Sequence, residues 1–288
     1  MFIILHNPMT KNKKARRRLK RVVNYFKRRN IRFRLKSLLK IDDLEAFIKR
    51  IPSDSKLVLL GGDGTINAFI NRTYNLHVAQ SIYLMGVGSG NDFLRSLKRQ
   101  NTGHQFIRRM KYGRKSRFFI NGSGLGMDGQ IAHRVNQSPR TNRFNYFLSA
   151  IKTFATFRPK YMEVEIDGKL HTFKKGYLLN VNSGEYIGGG MRLTPDANLD
   201  DDQLEVLVVH RISRPFLFLI FLSVYFGFHT RFKRYIFRSK GHHVKATMFS
   251  SQIAQCDGET FRKVRDFEAW STDKRVTFLP FDLDKHTK

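Results

Sequence analysis

Four apolar residues, Leu57–Leu60, run directly into Gly61-Gly62-Asp63-Gly64-Thr65, and a helix-like pattern begins at Ile66. A short apolar strand that ends in a glycine turn and feeds a helix is the repeating unit of a parallel sheet covered by helices. The unit recurs downstream: Ser81–Val87 is strand-like, Gly88-Ser89-Gly90-Asn91-Asp92 follows, and a short helix runs to Leu97. Upstream, Phe2–Leu5 reads as a buried strand, and Lys11–Arg29 as a helix with Ala15, Leu19, Val22, Val23 and Phe26 on one face. Ile31–Leu35 alternates apolar and basic residues like a strand, and Ile41–Ile51 is again helical, with Asp42 or Asp43 near its start. This alternation predicts an α/β domain with a parallel sheet and helices on both faces.

After about residue 117 the pattern changes. Met162–Ile166, Gly176–Val181, Leu204–Val209 and Lys245–Phe249 are short strand-like runs with Gly, Asp and Asn between them, which predicts a mostly β second domain. A chain of 288 residues accommodates one large domain or two of ordinary size. The boundary is placed in the basic segment Arg108–Arg117.

Both glycine turns follow predicted parallel strands, and ligands of open α/β sheets bind outside the carboxyl ends of such strands. Helix N-termini behind the turns offer backbone N–H groups to phosphate. An aspartate in such a turn would repel phosphate unless a divalent cation or a reacting hydroxyl lay between them. Mg²⁺ suits that place, because it takes one or two carboxylates together with phosphate oxygens. Asp63 therefore points to a nucleoside triphosphate with its metal. No G-x-x-x-x-G-K-[ST] pattern occurs, which excludes a P-loop enzyme. Gly124-Leu125-Gly126-Met127-Asp128-Gly129 fits G-x-G-x-x-G after the strand-like Phe118–Asn121, but Val135–Met162 contains no Asp or Glu to bind a ribose. The dinucleotide reading therefore ranks low.

Lys and Arg number 53 against 23 Asp and Glu, a formal net charge of +30. That excess predicts an anionic partner: nucleic acid, an anionic membrane or a polyphosphate. Residues 1–41 contain no acid, and residues 11–36 hold fourteen Lys or Arg. The single cysteine, Cys256, excludes an intrachain disulfide and a cysteine-rich zinc site, and reads as a packed side chain. His242-His243 lacks a nearby ligand set, and Trp270 reads as core. The apolar run Phe2–Leu5 is too short for a signal-peptide core. Pro215–Phe228, fourteen residues, is too short to span a bilayer and reads as a buried or interfacial helix. A cytoplasmic protein, soluble or peripheral on the inner face of the membrane, is expected.

The chain resembles the diacylglycerol kinase catalytic family of bacterial lipid kinases, related to sphingosine kinases. The matching stretches are GGDGTIN (61–67), GVGSGNDFLRSL (86–97), NGSGLGMDG (121–129), NVNSGEYIGGGMRLTPDANLDDDQLEVLVV (180–209) and CDGE (256–259), in the family's order. The resemblance implies an N-terminal parallel-sheet, NAD kinase-like nucleotide-binding domain and a C-terminal β-sandwich domain that contributes the rest of the cleft. It divides the chain into residues 1–117, with 276–288 returning, and 118–275. It implies that Gly61, Gly62, Asp63, Gly64, Thr65, Ile66 and Asn67 cradle ATP. Ser89 replaces the threonine of the family's G-T-x-N-D-F. Ser37 stands where the family has a nucleotide-contacting threonine, and Asn7 matches the family's opening N-P.

Glu259 matches the family's general base, and Asp63 the residue that organises the phosphates. Asp201, with backbone oxygens of Asn198 and Gln203, corresponds to a structural Mg²⁺ site in the family's L-D-D-G element, whose glycine is here Asp202. The expected reaction is ATP-dependent phosphorylation of diacylglycerol or a similar lipid alcohol to phosphatidate, on an anionic membrane, with no specific nucleic acid. The chain is compatible with a homodimer. The alternatives are an NAD kinase-like enzyme and a non-catalytic basic protein binding anionic lipid or nucleic acid.

Overall fold

The computed structural model describes residues 1–7, 13–87, 91–138 and 143–283. The chain divides into two compact units, Met1–Gln105 with Arg275–Lys288, and Phe106–Lys274.

In the first unit, strands β1 (Phe2–His6), β2 (Phe33–Ser37), β3 (Lys56–Gly61) and β4 (Ser81–Gly86) alternate with helices α1 (Lys13–Arg28), α2 (Leu44–Lys49), α3 (Asp63–Thr73) and α4 (Asp92–Gln100). β1 pairs in parallel with β2 and β3, and β3 with β4. The end of the last strand of the chain adds Phe278–Pro280 in parallel beside Ile82–Leu84 of β4. Ile4, Val58 and Phe26 are completely buried between the sheet and α1. Phe26 projects from the apolar stripe of α1 and meets the rings of Phe2 and Phe33 at 5.0 and 5.3 Å. The opposite face carries Arg16, Arg17, Arg18, Lys20 and Arg21, all exposed. α1 stops where Asn30 takes a left-handed conformation (φ 53°), a common helix terminator. At the start of α2, Asp43 accepts a hydrogen bond from the Ala46 N–H at 2.9 Å.

The second unit takes in strands β5 (His104–Tyr112), β6 (Lys115–Phe119), β7 (Gly122–Gly126), β8 (Lys160–Ile166), β9 (Lys169–Asn182), β10 (Leu204–His210), β11 (Ile236–Gly241), β12 (His243–Cys256) and β13 (Glu259–Pro280), with β5 and β13 running past its limits. β9 and β12 each pair antiparallel with β8 through one half and with β7 through the other, so the sheet folds over and encloses a core. Leu125, Met162, Leu179, Val206, Met248 and Phe267 fill that core. β10 is buried on both faces: Leu204, Val206 and Val208 point into the core, while Leu207 and Val209 meet the helices.

Three helices, α5 (Met127–Gln137), α6 (Arg143–Thr156) and α7 (Arg214–Val224), accompany these strands. α5 and α6 lie in a stretch where short strands were expected to dominate. Their apolar positions are interleaved with Arg, Asn and Gln, which weakens a helical period in the sequence. Trp270, expected in the core, is half-buried, with the Arg109 guanidinium 5.5 Å from its ring centre.

Candidate active-site elements

β3 and β4 are neighbours in register, Gly61 opposite Gly86, and the Val87 N–H donates to the Gly61 carbonyl at 3.1 Å. The ends of the two strands therefore lie side by side. A Cβ on Gly61 would fall 2.1 Å from Thr65 Oγ1, so this position admits only glycine while Thr65 stays buried beneath it. Thr65 and Ile66 turn their side chains into the fold, and only their backbone is placed to serve a ligand. Asn67 is half-buried and its Oδ1 accepts from Asn71 Nδ2 at 3.1 Å. Asn7 directly follows β1, and Ser37 closes β2. Among the described residues the Ser37 hydroxyl is buried without a hydrogen-bond partner. Ser89 lies outside the described residues.

Asp63 has a structural role that the sequence did not reveal. Its carboxylate accepts hydrogen bonds from the backbone N–H groups of Asp92 (2.9 Å) and Phe93 (3.1 Å). These are first-turn donors of α4, which have no partner within the helix. Asp63 thus caps α4 from the first residue of α3. Asp63→Ala is expected to cost about 1–2 kcal/mol of stability through the lost cap, besides any effect on turnover. Thermal unfolding of the variant checks this. Unchanged melting would show that the two bonds contribute nothing.

In the second unit, Glu259 follows a two-residue hairpin turn, Asp257-Gly258, with both residues in left-handed conformation (φ 46° and 88°). Asp-Gly is the pair such a turn favours. The Asp257 carboxylate fixes the turn by accepting from the N–H groups of Ile120 (2.7 Å), Asn121 (2.9 Å) and Gly122 (3.1 Å). The Glu259 side chain is 55% exposed and lies 3.6 Å from the Arg117 guanidinium.

A buried polar chain lies behind this turn. Gln255 Oε1 accepts from the Gly258 N–H at 2.9 Å, and Gln255 Nε2 donates to Asp128 Oδ2 at 2.8 Å. Asp128 opens α5 at close quarters with β12, since a Cβ on Gly129 would sit 2.0 Å from the Ile253 carbonyl oxygen. The glycines of 124–129 thus serve packing. Burial pushes the Asp128 carboxyl up to about 6, against the Gln255 and Asn180 amides, which favour its charged form. A carboxyl raised in this way binds its proton more tightly in the folded than in the unfolded chain. Its contribution to stability is greatest below about pH 4, falls as pH rises to about 6, and is constant above that. Asp128→Asn removes this dependence. The stability of the variant relative to wild type is expected to rise by roughly 2 kcal/mol between pH 4 and 7. Denaturant unfolding at several pH values measures it, and a pH-independent difference would refute it.

Asp128, Asn180 and His229 are the polar side chains of an otherwise apolar cavity. Met127, Phe154, Leu193, Leu207, Ile220 and Phe221 contribute to its walls, and its volume is about 60 Å³. Burial pulls the His229 imidazole down to about 4, so it is neutral, and its Nε2 lies 2.7 Å from the Leu193 carbonyl. A carbonyl oxygen only accepts, so the proton sits on Nε2.

The loop expected to hold Mg²⁺ is closed differently. Arg108 is completely buried. Its Nη2 donates to the backbone oxygens of Asp201 (2.6 Å) and Gln203 (3.1 Å), and its Nη1 to that of Phe106 (2.6 Å). Asn198 Oδ1 accepts from the Asp200 N–H at 3.0 Å, and Asp201 Oδ1 from the Gln203 N–H at 3.2 Å. A guanidinium therefore supplies positive charge beside the loop and donates to the Gln203 backbone oxygen, one of those expected to ligate Mg²⁺, and to that of Asp201. Burial lowers Arg108 to about 10, opposed by Asp201 and Asp202, so it stays charged at neutral pH. Among the described residues no group of three or more His, Cys, Asp or Glu side chains is arranged to hold a metal.

An α/β unit with a glycine turn after β3 and a β-rich unit with an Asp-Gly-Glu hairpin are the parts that the models of a lipid-kinase family match. The diacylglycerol kinase catalytic domain model matches residues 1–120, and that of the YegS C-terminal NAD kinase beta sandwich-like domain matches residues 123–267. The chain belongs to the diacylglycerol kinase catalytic family. It is 26% identical over 215 residues to a diacylglycerol kinase of Bacillus subtilis (strain 168), covering 70% of each chain. It is 24% identical over 216 residues to one of Staphylococcus saprophyticus, again covering 70% of each. The fold is shared with a diacylglycerol kinase crystal structure from Bacillus anthracis str. Sterne, with a TM-score of 0.64 and 15% identity over 97% of this chain and 96% of that one.

Proposed function

We propose that the protein transfers the γ-phosphoryl group of ATP to the hydroxyl of diacylglycerol or a similar lipid alcohol, giving phosphatidate and ADP. The observation that carries this reading is the Asp257-Gly258 turn that presents Glu259, joined through Gln255 and Asp128 to an apolar cavity of the second unit. The apolar lining of that cavity suits a lipid better than a water-soluble nucleotide acceptor. ATP binds at the first unit. The backbone of Gly61–Asn67 holds its phosphates, with Asn7, Ser37 and Ser89 around the nucleotide.

Glu259 accepts the proton of the lipid hydroxyl as that oxygen bonds to the γ-phosphorus and the bond to the β-phosphate oxygen breaks. Asp63 keeps the start of α4 in place. Magnesium carried by the nucleotide neutralises phosphate charge when bound. The exposed basic face of α1 attracts an anionic leaflet, each nearby Lys or Arg contributing about 1 kcal/mol. Incubation with ATP and a panel of lipid alcohols, read by mass spectrometry, tests the proposal. Phosphorylated diacylglycerol is expected. Phosphorylated NAD in place of a phosphorylated lipid would overturn it.

A further inference from the structure

α7 is apolar on both sides. Its inner face, Leu217, Ile220, Phe221 and Val224, is buried and lines the cavity. Its outer face is bare: Pro215, Leu219 and Leu222, spaced by four and three residues, are exposed, Leu219 to 58%. The chain beyond α7 continues this surface with Phe226 (70% exposed) and Phe228 (52%), whose rings stack at 6.0 Å. Soluble proteins seldom leave large apolar side chains grouped in this way unless the patch has a partner.

The rim of the patch says which partner. Arg211, Arg214, Arg231, Lys233 and Arg234 are exposed around it, and the Arg231 guanidinium lies 5.0 Å from the Phe228 ring centre. No Asp or Glu stands between Glu205 and Asp257. An apolar stripe with cations along its own segment is complementary to a bilayer with anionic headgroups: the side chains enter the acyl boundary and the cations meet phosphate. Eleven residues of helix span about 16 Å, far short of a bilayer core of roughly 30 Å, so α7 lies along the interface and does not cross it.

We infer that α7 and the following Phe226–Arg234 segment form the membrane-inserting surface of the protein, with Leu219, Leu222, Phe226 and Phe228 entering the lipid and the helix separating bilayer from cavity. The choice of a lipid partner rests on the lipid-kinase reading; the surface itself does not.

The test uses flotation of the full chain with vesicles of phosphatidylcholine alone or with one quarter phosphatidylglycerol. Leu219→Ser/Leu222→Ser/Phe226→Ser is expected to lower the bound fraction on the anionic vesicles about tenfold or more. Melting curves of the variant serve as the folding check. Arg231→Gln/Lys233→Gln/Arg234→Gln is expected to lower binding only at low salt, since charge interactions are screened near 1 M. Insertion is read separately with Phe226→Trp against the parent, whose Trp270 is the background. Brominated lipid is expected to quench the added fluorescence. Bound protein without that quenching would overturn the inference. So would sedimentation showing that the apolar variant turns a lipid-free dimer into a monomer, which would make the patch a contact between two copies. No turnover enters these measurements, so insertion without kinase activity would sink the proposed function and leave this surface standing.

Discussion

Arg108→Met is expected to lower the melting temperature by about 10 °C. Three backbone carbonyls, of Phe106, Asp201 and Gln203, lose their donor together. Unsatisfied buried acceptors cost about 1–3 kcal/mol each. Three of them at the lower end of that range cost roughly 3–5 kcal/mol, which at about 2–4 °C per kcal/mol for a unit of this size gives the shift. Lys111→Met, on the same strand but exposed, removes the same charge and is expected to melt within about 2 °C of wild type. The wild-type curve should be the same with excess Mg²⁺ and with chelator, because the guanidinium already holds the loop. A saturable rise in wild-type stability with Mg²⁺, together with a tolerated Arg108→Met, would show that a metal holds the loop and that Arg108 does not.

Glu259→Gln should lower kcat by about 10²-fold or more while ATP affinity holds. The amide keeps the shape of the carboxylate and cannot take the hydroxyl proton. The side chain is more than half exposed and its nearest cation is Arg117 at 3.6 Å, so the substitution has little to unfold. A second variant separates chemistry from position: Asp257→Ala removes the anchor of the hairpin and leaves the glutamate in place. It should lower both kcat and stability, whereas Glu259→Gln lowers kcat alone. If Glu259→Gln raises KM and leaves kcat unchanged, Glu259 binds substrate and the base lies elsewhere.

The glycine turns were legible in the sequence because the geometry that requires them is local. Gly61 and Thr65 are one helical turn apart, and the apolar run before them can only be a buried strand. Asp63 was legible as a special residue, but its work in capping α4 was not. Its partners stand twenty-nine and thirty positions away. The same limit hid Arg108, which reads as one cation in a basic run and meets its carbonyls across more than ninety residues. Asp128 had a faint signal: it is the one acid between Asp92 and Glu163, inside an apolar glycine run of a strongly basic chain. Its pairing with Gln255, 127 residues on, is set by the packing of α5 on β12 and has no local trace. The apolar run Pro215–Phe228 left two environments open, and the structure gives α7 both: one face against the cavity, the other uncovered.

Transfer of phosphate to a lipid hydroxyl is the step most directly measured. The protein is given ATP labelled at the γ-phosphate, Mg²⁺ and diacylglycerol in mixed micelles, with NAD in a parallel reaction, and the products are separated and weighed by mass spectrometry. The account predicts label in phosphatidate, none in an NAD product, and loss of the lipid product in Glu259→Gln. Label confined to NADP, or no labelled product from a protein that melts as a folded chain, would contradict it.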